Sequence, residues 1–527
     1  QRHTPKPHTG YQKIPSGSLH QLRCCLQDTV NHTYLIHTNK SNSKKKKMKK
    51  IVLFPALALL IAAAGTSCQE DNNDNGGTLP GQEYTIGDGS DDYEIDGNVT
   101  LTYPNKYTLK GFVYVPNGAT LTIEPGVVIK GDKATKATII VEPGGKLIAD
   151  GTQERPIVFT SAQPAGSRKP GDWGGIILMG NARNNQGEMS IEGGVRGTHG
   201  GNNDADNSGV LRYVRCEYAG IEYTTDNEIN AITFGSVGSG TTVDYVQVSY
   251  SGDDAFEWFG GTVNCKHMVA LGTWDDDFDT DNGFSGKVQY AVVLRDPLTG
   301  DKSASNGFES DNNSDGAAME PYTSCVFSNF SVFGPVTDPA SYTNQAGING
   351  SPVDARFQAA MHLRRNTELR VFNSLFAAFP IGLIIENDKG STTQQHATDG
   401  VLQVTNCVMA GMIKNFQDAQ YWSNNSQLND SDPGTFADSY FNRNGGNNRT
   451  FATVDELALQ GSPFNLTSFC MIPGSNSPLA NGASWEHPYV SSGFDQVSYI
   501  GAFSPNETVA DNWMSGWTNF DPQNTIY

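Results

Sequence analysis

Apolar and polar positions alternate in short runs along this chain, and one such run recurs together with its flanks. It reads Asp254-Ala255-Phe256-Glu257, then Asp276-Asp277-Phe278-Asp279, then Asn306-Gly307-Phe308-Glu309. Each copy follows an alternating strand pattern: Tyr245-Val246-Gln247-Val248, His267-Met268-Val269-Ala270 and Tyr290-Ala291-Val292-Val293. The first two phenylalanines are 22 residues apart and the third lies 30 further on, with Arg295 to Ser305 as an insertion. Repetition at about 20–30 residues is the mark of a solenoid, in which one unit cannot bury its apolar face alone.

The rest of the chain from residue 111 continues in short, β-branched strands closed by strong turn signals. Phe112-Val113-Tyr114-Val115 precedes Pro116-Asn117-Gly118, Leu121-Thr122-Ile123 precedes Pro125-Gly126, and Ile139-Ile140-Val141 precedes Pro143-Gly144. The two Glu-Pro-Gly turns are 18 residues apart, which predicts a coil of about that length. Gly171-Asp172-Trp173-Gly174-Gly175 leads into another strand, and Tyr213-Val214-Arg215-Cys216 matches the run at Tyr245. Asn329, Asn373 and Asn406 recur near strand ends, as in β-helices that stack asparagines at a bend. Residues 413–450 lose the pattern and read as a long loop. Thr453-Val454-Asp455-Glu456 is a capping box that predicts a short helix closing the last coil. The expectation is an all-β parallel β-helix over residues 84–450 with long loop insertions. A C-terminal cap over 451–527 should pack on it.

The chain before the repeats reads as an address. Lys44 to Lys47, Lys49 and Lys50 flank Met48, and Ile51 to Ala64 is an apolar run too short to span a bilayer. Residues 1–47 read as upstream sequence from a misplaced start, and 48–67 as an export signal. It ends Gly65-Thr66-Ser67-Cys68, which resembles a bacterial lipoprotein box with Cys68 as the lipidated residue, although Gly65 stands where the box wants a larger aliphatic. Residues 68–83 then form a tether whose acidic start, Gln69-Glu70-Asp71, resembles the signal that sends Bacteroidetes lipoproteins to the outer face of the outer membrane. From Cys68 onward 25 basic residues face 55 acidic ones, a surface that repels nucleic acid.

The Glu-Pro-Gly turns, Gly-Asp-Trp-Gly-Gly, the Asp-rich rungs, Tyr499-Ile500-Gly501-Ala502-Phe503 and the Trp-containing tail together resemble a group of Bacteroidetes surface lipoproteins. The resemblance implies a pectin-lyase-like, single-stranded, right-handed parallel β-helix and a surface location. It implies no catalytic residues.

If the three phenylalanines stack on successive coils, Glu257, Asp279 and Glu309 form a row on the opposite face of the strand. Like charges about 4.8 Å apart repel unless solvated, protonated or bridged by a cation. With Asp254, Asp276, Asp281 and Asp311 nearby, the row is a candidate Ca²⁺ site, or simply a solvated face. Three functions compete. A surface lipoprotein could bind glycan or another cell-surface ligand, with Trp258 and Trp274 beside the acids as stacking surfaces. A Ca²⁺-dependent polysaccharide lyase acting on acidic polysaccharide would need a base, for which Lys266, Lys287 and Arg295 are candidates. Polygalacturonase-like hydrolysis is suggested by Gly252-Asp253-Asp254, but the Gly-His-Gly and Arg-Ile-Lys motifs of that family are absent. His267 lies in a strand pattern and reads as a packed histidine. Cys216, Cys265, Cys325, Cys407 and Cys470 are odd in number and lack metal spacing, so they read as small buried hydrophobes.

Mass spectrometry of the membrane-extracted protein should find Cys68 as an acylated first residue. An unmodified Cys68, or cleavage before Gly65, overturns that reading.

Overall fold

Strands stack in parallel with like residues in register, one coil above the next. The structure is a computed structural model that describes residues 81–527 apart from 226, 302–303, 343–345, 349–350, 356 and 420–431. The export signal, Cys68 and the tether through residue 80 lie outside the described residues. Among the described residues, parallel strands form sheets of 17 and 11 members that wind together as a parallel β-helix.

Register explains the composition of the core. In the smaller sheet Ile139, Ile176, Ile232, Phe256, Phe278, Phe308, Met361 and Leu383 occupy one inward column. The three phenylalanines are wholly buried. Phe256 and Phe278 stack at 5.4 Å between ring centroids, and Phe278 meets Phe308 edge-on at 5.8 Å. The next inward column carries Phe234 stacked on Trp258 at 5.2 Å. All five cysteines in the coils and tail are free and buried, as expected.

The larger sheet bends at a column in the left-handed region. Tyr213, Tyr245, His267, Tyr290, Asn329, Asn373 and Asn406 all have φ between 49° and 62°. Left-handed backbone costs an ordinary residue about 1–2 kcal/mol. Asparagine tolerates it, which is why Asn329, Asn373 and Asn406 form the predicted stack. On the earlier coils aromatic stacking offsets the strain: centroids of Tyr213 and Tyr245 lie 4.5 Å apart, Tyr245 and His267 4.2 Å, and His267 and Tyr290 5.0 Å. His267 Nδ1 sits 2.8 Å from Asp244 Oδ1, so this histidine is packed and paired.

Three expectations need correction. Leu121 pairs with Leu147, 26 residues away, so the two Glu-Pro-Gly turns mark different corners of a coil and not successive coils. The predicted loop at 413–450 contains a strand at Lys414–Gln417 and a helix at Thr435–Phe441. Phe436, Ala437, Tyr440 and Phe441 are a helical apolar face within an otherwise polar stretch, and they join the main core. That helix packs against the last strand of the smaller sheet. The Thr453 capping box does form, but it opens only a 3₁₀ turn at Val454–Leu457. The chain beyond residue 458 winds back along the outside of the coils. There Ile500, Phe503 and Trp517 are buried against Val269, Leu271, Val292 and Leu294.

Truncating the middle of the phenylalanine column should be severe. Phe278→Ala is expected to lower unfolding free energy by about 3–5 kcal/mol, read by denaturant titration of tryptophan fluorescence.

Candidate functional site

The strand face opposite the phenylalanine column reads Thr233, Glu257, Asp279, Glu309 and His362 on successive coils. This is the carboxylate row expected from the sequence. Its setting is not the expected solvated face. The row lies in a cleft of ≈ 470 Å³ in which Glu257 is only 7 % exposed. Insertions make the walls: Glu192 comes from the loop before Gly209, Glu228 from the hairpin Glu222–Thr224 with Asn227–Glu228, and Ala304 from the insertion after Arg295. Among the described residues, nine carboxylates and two guanidinium groups, those of Arg364 and Arg365, line the space.

A second column runs along its floor, built from turn residues just before each phenylalanine strand. Asp254 N–H donates to Asn230 Oδ1 at 3.3 Å, and Asp276 N–H to Asp254 Oδ1 at 2.8 Å. Asn306 N–H then donates to Asp276 Oδ1 at 2.5 Å, and Ala359 N–H to Asn306 Oδ1 at 3.1 Å. Each side-chain oxygen thus receives the backbone N–H of the coil above. The bond needs an acceptor and no charge, and asparagine supplies it at both ends. The two central coils use aspartate instead. Their second oxygens join Glu257, Asp279 and Glu309: carboxylate oxygens of Asp254, Glu257 and Asp279 lie within 4.8 Å of one another, as do those of Asp276, Asp279 and Glu309. Asp253, Asp254 and Asp275 make a third such group at the outer side.

Burial, and then mutual repulsion, hold the carboxyls of Asp254, Glu257, Asp276 and Asp279 well above the usual range. Asn230 Nδ2 donates to Glu257 and, at 3.0 Å, to Glu192. Asp279 Oδ1 is buried with no hydrogen-bond partner. Hard oxygen donors at this density fit a divalent cation such as Ca²⁺, which takes 6–8 oxygens.

The far end of the cleft is differently built. Glu386, His362, Glu309, Arg364, Asp311, Arg365 and Asp388 form a chain of alternating charge. His362 is wholly buried, 3.2 Å from Glu386 and 3.3 Å from Glu309. Arg364 bonds Glu309 and reaches Asp311 at 2.8 Å, while Arg365 joins Asp311 at 2.5 Å to Asp388 at 2.9 Å. Burial would raise the Glu309 carboxyl, but Arg364 and His362 outweigh it and hold it at about 2. Glu309 is therefore neutralised by protein cations, while Asp311, paired with Arg364 and Arg365, is still raised by burial. Asp281 does not line the cleft; its Oδ1 accepts from Asn282 N–H at 2.6 Å.

Other expected site residues are elsewhere. Trp258 is wholly buried in the core between Phe234 and Phe284 and cannot stack on a ligand. Trp274 is half-buried in the turn before Phe278 and does not line the cleft. Lys266 pairs with Asp495 at 2.9 Å and Lys287 Nζ donates to Ser492 O at 2.7 Å, both on the larger sheet beneath the returning C-terminal segment. Arg295 is fully buried, 2.8 Å from Asp277, and donates to Thr273 O and Asn306 O. None of the three lines the cleft, although Arg295 lies close enough beneath it to oppose the rise of the Asp276 carboxyl. Sequence reasoning missed Arg364, Arg365 and His362, because their coil replaces Phe-Glu with Met361-His362. Aligning Met361 with Phe308 is the signal that would have found them.

A family model described as a pectate-lyase like beta helix domain matches residues 93–453. No curated protein and no solved structure matches the chain.

Because these carboxyls are raised in the folded state, their stabilising protonation is complete below their unfolded values of about 4. It is lost as pH rises through their raised folded values. In chelator, melting temperature should fall between those limits, and Asp254→Asn with Asp276→Asn should flatten the fall while keeping the floor bonds. A double variant less stable than the parent at the upper pH would contradict the assignment of surplus charge.

Proposed function

We propose that this chain, which belongs to the pectate-lyase-like β-helix domain family, binds an acidic glycan through Ca²⁺ held in the carboxylate cleft. Cys68 tethers it by lipid to the outer membrane, facing outward. The observation that carries the reading is the substitution of aspartate for asparagine at the two central floor positions. Asn230 and Asn306 already make the structural bond, so Asp254 and Asp276 add charge to it, in the coils that also carry Glu257 and Asp279; Asp276 Oδ2 also accepts from Asn306 Nδ2 at 3.4 Å. Those four are the proposed cation ligands. A cation seated there would cancel the repulsion among the four carboxylates and leave coordination positions for carboxylates of an anionic sugar polymer.

Binding is favoured over lyase turnover by the state of the cleft's cations. An arginine or lysine that abstracts the proton next to a uronate carboxylate must present a free nitrogen lone pair, and among the described residues the nitrogen bases lining the cleft are Arg364 and Arg365. Glu309 and Asp311 hold Arg364 firmly protonated against the opposing effect of its burial, and Arg365 is bound to Asp311 and Asp388. Hydrolysis is supported only by the presence of Asp253 and Asp254 in the cleft. The oxygens of Asp253, Asp254 and Asp275 lie within 4.8 Å of one another, closer than the separation of about 6.5–9.5 Å that an inverting pair needs.

Calorimetry should show Ca²⁺ binding that Asp279→Ala weakens strongly. The melting temperature should rise with Ca²⁺, by the equivalent of about 2.7 kcal/mol at a hundredfold excess over Kd. Polyuronates should then bind in Ca²⁺ and not in chelator, with no unsaturated product seen by ultraviolet absorbance. Product that forms with Ca²⁺ and vanishes with Asp279→Ala would replace binding by lyase action. Absence of any Ca²⁺ response would refute the cation site.

A further inference from the structure

Four buried amide side chains hold the returning C-terminal segment at the outer corner of the coils, beside the left-handed bend. Gln247 Nε2 donates to Asn519 O at 2.7 Å while its Oε1 accepts from Asn519 N–H at 2.8 Å. Gln289 does the same to Asp495, at 2.8 Å in both directions. Asn373 donates to Ser484 O at 3.2 Å and accepts from Ser484 N–H at 2.9 Å. Asn329 Nδ2 donates to Tyr499 O and Gly501 O at 3.1 and 3.2 Å. All four are 1 % exposed or less.

An amide that takes both the N–H and the C=O of one residue offers the pairing a neighbouring strand would offer. In the three two-way pairs only the backbone of Ser484, Asp495 and Asn519 is read. Apolar contacts supply the rest. The outer face carrying Val269, Leu271, Val292 and Leu294 is covered by Ile500, Phe503 and Trp517, and Trp517 meets Tyr213 and Tyr245 edge-on at 5.9 Å each. This face is distant in role from the carboxylate cleft: it lies on the larger sheet, and no residue of it lines the cleft.

We infer that this corner is a peptide-binding track that reads backbone at fixed positions, filled by the chain's own C-terminal segment, and that this segment is a separable ligand of the coils. Its ligand class is a polypeptide that turns between the keyed positions and carries aromatic side chains there. The track is independent of the glycan reading.

The test uses the whole chain with a protease site inserted between Asn481 and Gly482, which are exposed. After cutting, the segment should stay bound through gel filtration and be displaced by a labelled synthetic peptide of residues 483–527. Gln247→Met and Gln289→Met keep shape and remove the keys; each should speed release about tenfold or more, the effect of stranding a buried backbone pair. Release of the segment at the same rate from parent and methionine variants overturns the backbone-reading track. Failure of the peptide to exchange, or aggregation of the coils on cutting, overturns separability.

Discussion

In a parallel solenoid the nearest neighbours of any side chain are the residues in the same column one coil above and one below. That constraint makes every column a ladder of like residues, whatever their chemistry. For phenylalanine the result is favourable, since Phe256, Phe278 and Phe308 are buried against one another and need no polar partner. For asparagine at a bend it is favourable too, since Asn329, Asn373 and Asn406 tolerate the left-handed backbone that turns the sheet. For carboxylates it is unfavourable, and the structure contains both answers to the problem. At Glu309 and Asp311 the next coil supplies Arg364 and Arg365 as fixed counter-charges, with His362 3.3 Å from Glu309. At Asp254, Glu257 and Asp276 amide N–H groups donate to the carboxylates, Asp279 Oδ1 is buried without a partner, and all four carboxyls are raised.

The columns were legible in the sequence because they depend on local period alone. Three copies of one pattern place Phe256 over Phe278 and Glu257 over Asp279, and the registers agree. What surrounds the columns was not legible. Glu192 and Ala304 reach the cleft from insertions whose paths no repeat determines. Lys266 and Lys287 are close to the acids in sequence, yet the corner of the coil turns them onto the other sheet. Trp258 misled for a similar reason: it is two residues from Phe256, so strand alternation places it inside with the phenylalanine. Thr435–Phe441 was hidden by its polar neighbours, because a helix this short shows only four apolar residues of the required spacing.

The C-terminal segment shows the same constraint from outside. A column facing outward beneath another chain segment must satisfy that segment's backbone, and side-chain amides do so in either direction. Gln247, Gln289 and Asn373 occupy different columns around one bend, yet each makes the same two-way pair. Recurrence of one chemical device at unrelated columns is what repeat stacking cannot supply, so each amide answers to the segment it holds.

The floor of the cleft brings these arguments together. Any residue with a side-chain oxygen at that column could receive the N–H of the coil above, and Asn230, Asp254, Asp276 and Asn306 all do. Asparagine performs this without charge, so aspartate on the two middle coils is surplus to the fold and opposes it, because burial raises the free energy of each carboxylate. The protein had a counter-ion available in the next coil, where arginines pair with Glu309 and Asp311. Among the described residues Asp254, Glu257, Asp276 and Asp279 form no ion pair with an arginine or lysine, and their carboxyls are concentrated where the insertions leave a cleft open. Unneutralised charge placed only where a ligand can enter is the arrangement expected when the missing counter-charge comes from outside the chain.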